Sequence, residues 1–377
     1  MNVYAGAVMI LRFALVLAIG TSITFILTPL IRAWCIRKGW YDLPEARRVH
    51  QIPTPRLGGA AIFAGFMAAL AAAVVVPWGV PQMQRFPIES FRLGLLAAGA
   101  TLMWVVMTID DLKKLSARFR LIIQILAALI AVGPYLWEWT LHPAVNGIDV
   151  GARGIIATAF NTPFMQVNFH EIWPPLAIGF TIFWIVGMTN ALNWIDGLDG
   201  LAAGVTFIAA IVLAIHTYSL GQYSLVLVPL ALAGACLGFL PHNFHPAKIF
   251  MGDGGAMVIG YTLAICSIIG GAKLATALLV LGVPLLDGVW MIIWRRVRGA
   301  GASVSDRGHL HHRLLDLGLS QRQVVAFYYT VSSLFGSLGL LLPDSWWKLG
   351  ALAILTGLMI GLLFYLARKQ PQTQNSH

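Results

Sequence analysis

The sequence predicts an all-α polytopic membrane protein. Two observations carry that reading. Of the 377 residues, 58% are hydrophobic and only 11% are charged, whereas soluble domains carry about 25% charged residues. The apolar residues also come in long runs, separated by short segments that hold most of the charge. A soluble core cannot hide so much apolar surface, so lipid is the solvent for most of the chain.

A span needs about 20 apolar residues. Eleven segments approach that length: 4–31, 57–77, 91–109, 120–137, 174–190, 201–218, 224–241, 256–271, 274–294, 323–342 and 349–367. The first starts like a secretory leader. It runs on as an apolar segment to Ile31 without a convincing small-residue cleavage site, and is read as a retained span. Segment 256–271 is the shortest, and its neighbour begins after Lys273, which predicts a tight helical hairpin. Between the fourth and fifth spans, 138–173 mixes Pro, Gly and Asn with alternating apolar residues and predicts a short surface hairpin. Residues 1–369 then form one integral membrane domain, and the polar tail 370–377 is expected to be disordered. Cys35, Cys236 and Cys266 are widely spaced and predict neither a disulfide framework nor a thiolate metal site.

A net charge of +10 raises the question of nucleic acid, but the basic residues lie in short loops between apolar runs, the topology pattern of a membrane protein. Nineteen of the 25 Lys and Arg residues fall in alternate loops on one side. That side is expected to be cytoplasmic. With an odd number of spans the N-terminus lies outside and the C-terminus inside.

The acidic residues choose the same side. Nine of fifteen lie in or beside those loops, and Asp287 lies within a span, where a carboxylate is costly and functional by default. Asp110-Asp111 ends the third span. Adjacent carboxylates repel, so a cation must offset them: Mg²⁺, which takes oxygen ligands, or Lys113 and Lys114. A solvated loop start is the plainer alternative. In Asn190-Ala-Leu-Asn193-Trp-Ile-Asp196-Gly-Leu-Asp199-Gly200 polar residues recur at every third position, which places them on one side of a helix. A helix cap followed by a turn explains one of them but not four. Asn243-Phe-His-Pro-Ala-Lys-Ile-Phe250-Met-Gly-Asp253-Gly254-Gly255 sets Asp253 between glycines before an apolar helix, as an anion-site residue or as a simple N-cap. The fourth loop runs from Arg295 through Asp306-Arg307-Gly-His309-Leu-His311-His312-Arg313. Three histidines invite a zinc reading, but His311 and His312 are adjacent, no thiol is near and arginines surround them, which favours an anion. The remaining loop, His50 to Gly59, is equally readable as structure or as a substrate gate.

This inventory suits phosphoryl transfer with Mg²⁺, where positioning and charge neutralisation dominate. There is no P-loop, no kinase motif set, no nucleophile elbow and no His-Glu-x-x-His zinc helix. At this point the motifs Pro53-Thr-Pro55-Arg56-Leu-Gly-Gly59, Asp110-Asp111…Leu-Ser-Ala-Arg118, Asn190 to Gly204, Phe250-Met-Gly-Asp253-Gly and His309-Leu-His311-His312 resemble the polyprenyl-phosphate N-acetylhexosamine-1-phosphate transferase family, of glycosyltransferase 4 type. The resemblance covers residues 40–320. The His-Leu-His-His form after Asp306-Arg307 resembles the WecA/TagO-like branch, whereas MraY-like relatives carry three consecutive histidines. One departure is Ile52, where many relatives have Lys, which leaves Arg56 to supply a basic contact.

The resemblance implies transfer of N-acetylhexosamine-1-phosphate, GlcNAc first among candidates, from a UDP-N-acetylhexosamine to undecaprenyl phosphate with release of UMP. Such a product starts a lipid-linked cell-envelope polysaccharide, for example lipopolysaccharide O-antigen or teichoic acid. It implies Mg²⁺, with Mn²⁺ as a substitute, and Asp253, Asp111 and Asp110 as catalytic and metal-binding residues, Asp253 first as direct ligand. It implies substrate contacts from Lys114, Asn190, Asn193, Asp196, Asp199, Asn243, Phe250, Arg307, His309, His311 and His312. It places the chain in the bacterial cytoplasmic membrane with the lipid bilayer as a partner, and a homodimer is compatible with it. The rivals are the MraY-type phospho-MurNAc-pentapeptide transferase and a lipid-linked sugar transporter. A transporter would place ionisable residues along a membrane path, where only Asp287 and Arg12 lie deep, and no internal repeat is apparent.

Overall fold

A computed structural model describes residues 3–42, 53–75, 83, 87–142, 151–161, 164–269, 273–297, 308–342 and 345–369. The chain is a helical bundle. Its helices are α1 (Val3–Lys38), α2 (Gly59–Val75), α3 (Pro87–Lys113), α4 (Ala117–Val132), α5 (Phe169–Ile172), α6 (Pro174–Ile195) and α7 (Leu201–Ser219). They continue as α8 (Leu227–Asn243), α9 (Gly252–Ile268), α10 (Leu274–Val280), α11 (Gly282–Val297), α12 (Leu310–Asp316), α13 (Gln321–Leu341) and α14 (Ser345–Lys369). Each of the eleven apolar segments falls on a helix, and the ninth falls on the pair α10 and α11. Among the described residues seven helices are long and apolar enough to cross a membrane, or eight if α10 and α11 count as one broken span, while α2, α8 and α9 are shorter apolar helices. The protein is therefore a multi-pass membrane protein.

Helix α9 is the hub. From Gly254 to Ile268 every residue is buried, as expected for a helix apolar on all sides. It packs against α2, α3, α6, α7, α8 and α10. The shortest apolar run in the sequence is thus the most enclosed. Helix α1 lies at the periphery, exposing Ile10, Leu11, Phe25, Ile26 and Leu30 and pressing its other face on α8. There Gly234 and Gly238 lie so close to α1 that added Cβ atoms would overlap the carbonyl oxygens of Leu17 and Thr21. Without a hydrophobic drive between helices in lipid, such small-residue contacts hold the pair.

One expectation is corrected. Segment 274–294 is not a straight span, because the chain bends by 78° between α10 and α11. Gly282 faces Leu355 with no room for a Cβ, and Pro284 lacks the N–H that a continuous helix needs, whereas it suits the first turn of a new one.

Among the described residues six short strands complete the fold. β1 (Tyr41–Asp42) pairs with β2 (Thr54–Pro55) at the end where α1 finishes. At the opposite end β3 (Leu141–His142) pairs with β4 (Gly151–Ala152), and β5 (Ala159–Asn161) with β6 (Gln166–Asn168). Hairpin pairing was the expectation for 138–173, and two pairs are present. The tail 370–377 lies outside the described residues.

Candidate active site

The polar loops converge on one end of the bundle, and backbone pairing starts the convergence. Phe250 N–H donates to Pro55 O, while Gly58 and Gly59 N–H donate to Phe250 O and Met251 O, each at 2.8 Å. This brings Gly59 onto Gly255, where a Cβ would overlap backbone atoms. The turn into α9 passes through Gly252 at φ +72, where a side chain would strike Arg56 O and the Asp111 carboxylate.

That approach sets Asp111 against the start of α9. Asp253 N–H donates to Asp111 Oδ1 at 2.9 Å and Gly254 N–H to Oδ2 at 3.0 Å. A carboxylate on two free helix N–H groups is favoured by hydrogen bonding and by the helix dipole. Arg56 closes the other side, 2.7 Å from Oδ1, and also reaches Asp42 at 3.6 Å. Arg56 therefore supplies a basic contact from the loop that has Ile52. Both oxygens of Asp111 are in use, so its geometry is that of an anchor.

Asp110 and Asp253 face each other beside it. Arg120 Nη1 lies 3.4 Å from Asp110 Oδ2 and 3.2 Å from Asp253 Oδ2. Asn193 Nδ2 donates to Asp253 Oδ1 at 3.0 Å, and Leu115 N–H donates to Asp110 Oδ1. Asp253 is 28% exposed and Arg120 32%, so the cluster opens to solvent on this side. Asp196 stands close enough to repel Asp253. Its carboxyl is pushed well above the usual carboxylate range, first by desolvation and then by Asp253, Asp111 and Asp199, with Arg56 opposing.

The in-register expectation for 190–199 is corrected. Helix α6 ends at Ile195, Asp196 is its C-cap, and Asp199 lies in the following turn. Gly197 and Gly200 let the chain leave the helix, so the four polar residues do not share a face. They split by task. Asn190 exchanges amide hydrogen bonds with Gln124 of α4 at 2.7 and 3.2 Å. Asn193 serves Asp253. Asp199 Oδ2 lies 2.8 Å from His245 Nδ1 and accepts from Ala247 N–H at 3.0 Å. Asn243 is buried, accepts from Gly200 N–H and donates to Ile249 O, both at 3.0 Å. Asp199 and Asn243 therefore tie loop to loop, and Asn190 ties helix to helix. Phe250 is half-buried and enters the loop pairing through its backbone. Lys114 is exposed at φ 52 and ends α3 by donating its N–H to Asp110 O.

The histidine loop joins through residues 193–197. His311 is buried, and a Cβ on Gly197 would stand 2.6 Å from its Nε2. Burial lowers the pKa of His311 well below the ordinary histidine value, and His312 and His309 add to that. The His312 ring centroid is 4.2 Å from that of His311. Trp194, next to Asn193, lies 6.4 Å from the His309 ring. Arg307 lies outside the described residues.

Charge and donor chemistry fit a divalent cation. Asp110, Asp111 and Asp253 share two arginines, Arg56 and Arg120, and Arg56 is also drawn to Asp42, which leaves acidic excess. Among the described residues no group of three His, Cys, Asp or Glu side chains is set to hold a metal alone. Mg²⁺ commonly takes one or two carboxylates and completes its shell with phosphate and water. Arg120 and Gln124 are absent from the motif-based set. Arg120 was visible only as a basic loop residue, and Gln124 as the one amide in an apolar helix.

Residues 92–271 match the family profile described as glycosyl transferase family 4. A relative from Bacillus subtilis, named as a probable undecaprenyl-phosphate N-acetylglucosaminyl 1-phosphate transferase, is 33% identical over 89% of this chain and 86% of its own. A decaprenyl-phosphate N-acetylglucosaminephosphotransferase from Mycobacterium tuberculosis is 37% identical over 86% of this chain and 81% of its own. A phospho-N-acetylmuramoyl-pentapeptide-transferase from Desulforudis audaxviator is 30% identical over 78% of this chain and 86% of its own.

Proposed function

Since the chain belongs to the polyprenyl-phosphate N-acetylhexosamine-1-phosphate transferases of glycosyl transferase family 4, a membrane enzyme family acting on polyprenyl phosphate, we propose that it moves GlcNAc-1-phosphate from UDP-GlcNAc to undecaprenyl phosphate. The observation that carries this reading is the meeting of Asp110 and Asp253 under Arg120, with Asn193 on Asp253 and Asp111 fixing the start of α9.

A phosphate monoester has a second pKa near 6 and is mostly dianionic at neutral pH. The acceptor therefore needs little help from a base. Its oxygen attacks the sugar-linked phosphorus of the donor. The bond from that phosphorus to the bridging oxygen breaks, and UMP leaves with the electron pair. Asp253 and Asp110 would hold Mg²⁺ or Mn²⁺, which supplies charge neutralisation for the pyrophosphate oxygens. Arg120 keeps the two carboxylates at one place and can follow the phosphate charge. Asn193 holds one oxygen of Asp253 and Arg120 the other, on the side where the cluster opens to solvent. In this reading the histidine loop, joined by 193–197, would contact the phosphates or the sugar, and the family motifs add Lys114 and Arg307 as candidates for the same task.

The His309-Leu-His311-His312 form and the names of the Bacillus and Mycobacterium relatives favour a small UDP-N-acetylhexosamine over a UDP-MurNAc-peptide. The basic loops support a site on the cytoplasmic side of a bacterial inner membrane, with the N-terminus outside and the C-terminus inside. There the soluble nucleotide sugar meets an acceptor held in the bilayer by its tail.

The test is UMP release from purified protein with undecaprenyl phosphate, Mg²⁺ and a panel of UDP-sugars. UDP-GlcNAc should be the preferred donor. Turnover of UDP-MurNAc-pentapeptide in its place would overturn the donor assignment, and turnover of neither would overturn the reading.

A further inference from the structure

The histidine loop is held by a carboxylate that the reaction above does not use. Asp287 lies on α11 and has no exposed surface. Its Oδ1 accepts the Leu310 N–H at 2.8 Å, at the start of α12, and its Oδ2 lies 3.0 Å from His309 Nδ1. A carboxylate only accepts, so the His309 nitrogen facing it carries a proton. Nε2 is then the nitrogen outside this pair, on a side chain that is 13% exposed. The ring plane is set as well. His311 lies nearly parallel to His309, at 5.6 Å and 13°. Trp194 lies beside the ring, tilted by 36° with centroids 6.4 Å apart, and rests on Gly288, where a Cβ would overlap the indole. Two adjacent residues of α11 thus fix the tautomer of His309 and the tryptophan beside it.

We propose that Asp287 is a positioning residue for His309, holding the imidazole with its proton on Nδ1 so that Nε2 is offered to the phosphate or sugar of the substrate. The proposal rests on the transferase reading for what His309 meets. A bulk role for Asp287, filling space between α11 and α12, is the competing account.

Asp287→Asn separates them. The amide oxygen still accepts from Leu310 N–H, but its NH₂ faces His309 and demands a lone pair on Nδ1, which moves the ring proton to Nε2. Loss of a hydrogen bond that orients a functional histidine typically costs about ten- to hundred-fold. That loss should appear in kcat/KM for the nucleotide sugar, with the KM for undecaprenyl phosphate held within about two-fold. In a His309→Gln background the same substitution should cost less than about two-fold further, because the two residues act as one unit. Nitrogen-15 NMR of histidine-labelled protein, with His309 assigned by loss of its signal in His309→Gln, should show the proton on Nδ1 in the wild type. Wild-type kcat/KM in Asp287→Asn overturns the proposal, as does full additivity with His309→Gln. A wild-type His309 with its proton on Nε2 also overturns it, and that reading stands even if Asp287→Asn cannot be recovered folded. Wild-type turnover in the same assay keeps this outcome separate from failure of the transferase reading, and the NMR measurement needs no activity.

Discussion

Asp111→Ala should weaken the fold, and Asp253→Asn should not, although both should abolish turnover. The Asp111 side chain is 1% exposed. It satisfies Asp253 N–H and Gly254 N–H and pairs with Arg56. Alanine leaves two helix donors without partners, at about 1–3 kcal/mol for each buried one. It also strips a partly exposed Arg56 of its nearer carboxylate, which Asp42 at 3.6 Å only partly replaces. Two effects act against this loss. Relief of repulsion with Asp253 returns some stability, and water reaches the Asp253 side, which is 28% exposed. The net expectation is about 2–4 kcal/mol of destabilisation. Asn at 253 keeps an acceptor for Asn193 and removes one negative charge from the carboxylate cluster, so stability should hold or rise. Thermal unfolding of both variants in detergent, with UMP release measured on the same preparations, checks this. Asp111→Ala should unfold several degrees below wild type, and Asp253→Asn at or above it. Co-unfolding of Asp111→Ala with wild type, or a lowered Tm in Asp253→Asn, would refute the division into anchor and reacting carboxylate.

Other substitutions probe the remaining parts. Arg120→Ala removes the cation shared by Asp110 and Asp253 and should lower kcat about hundred-fold or more, as loss of a preorganised electrostatic group does; a rate within two-fold of wild type, measured by UMP release, contradicts the shared role. Gly59→Ala places a Cβ on the backbone of Gly255 and should prevent recovery of folded protein, while Gly94→Ala, with open space around it, should be recovered like wild type on size-exclusion chromatography. Asn243→Ala leaves Gly200 N–H and Ile249 O without their partners and should cost about 2–4 kcal/mol; an unchanged Tm with a raised KM for the nucleotide sugar would return Asn243 to direct substrate contact. Chelation of divalent cations should stop turnover, and Mg²⁺ or Mn²⁺ should restore it; full activity in excess EDTA contradicts the role assigned to the carboxylates.

The helices were legible because lipid demands long apolar runs, and the described part of every run lies on a helix, although only seven or eight of these helices are long and apolar enough to span. What periodicity could not show was the break at Leu281, since Gly-Val-Pro is tolerated inside membrane helices and also starts new ones. At the site, residue type marked the right loops but not the division of labour within them. Asp110 and Asp253 come together, and Asn193, expected at the nucleoside, bonds to Asp253 instead. Asn190, Asp199 and Asn243 have the same polar character, yet their hydrogen bonds go to Gln124, to the 245–247 turn and to the backbone of the neighbouring loops. Sequence cannot distinguish a buried amide that ties two loops from one that meets a ligand, because both need the same donors and acceptors. Arg120 was hidden for the opposite reason: in a basic loop it reads as one topology charge among many, and only the fold carries it 133 positions along the chain to Asp253.

The most direct test follows the donor's second phosphate. Purified protein is given undecaprenyl phosphate, Mg²⁺ and UDP-GlcNAc carrying ³²P only at the β-position, and the label is followed into butanol-extracted lipid. Transfer of the whole sugar-1-phosphate puts the label in the lipid and leaves unlabelled UMP in water. Retention of the label in water-soluble UDP, with sugar alone moving to lipid, would contradict the account.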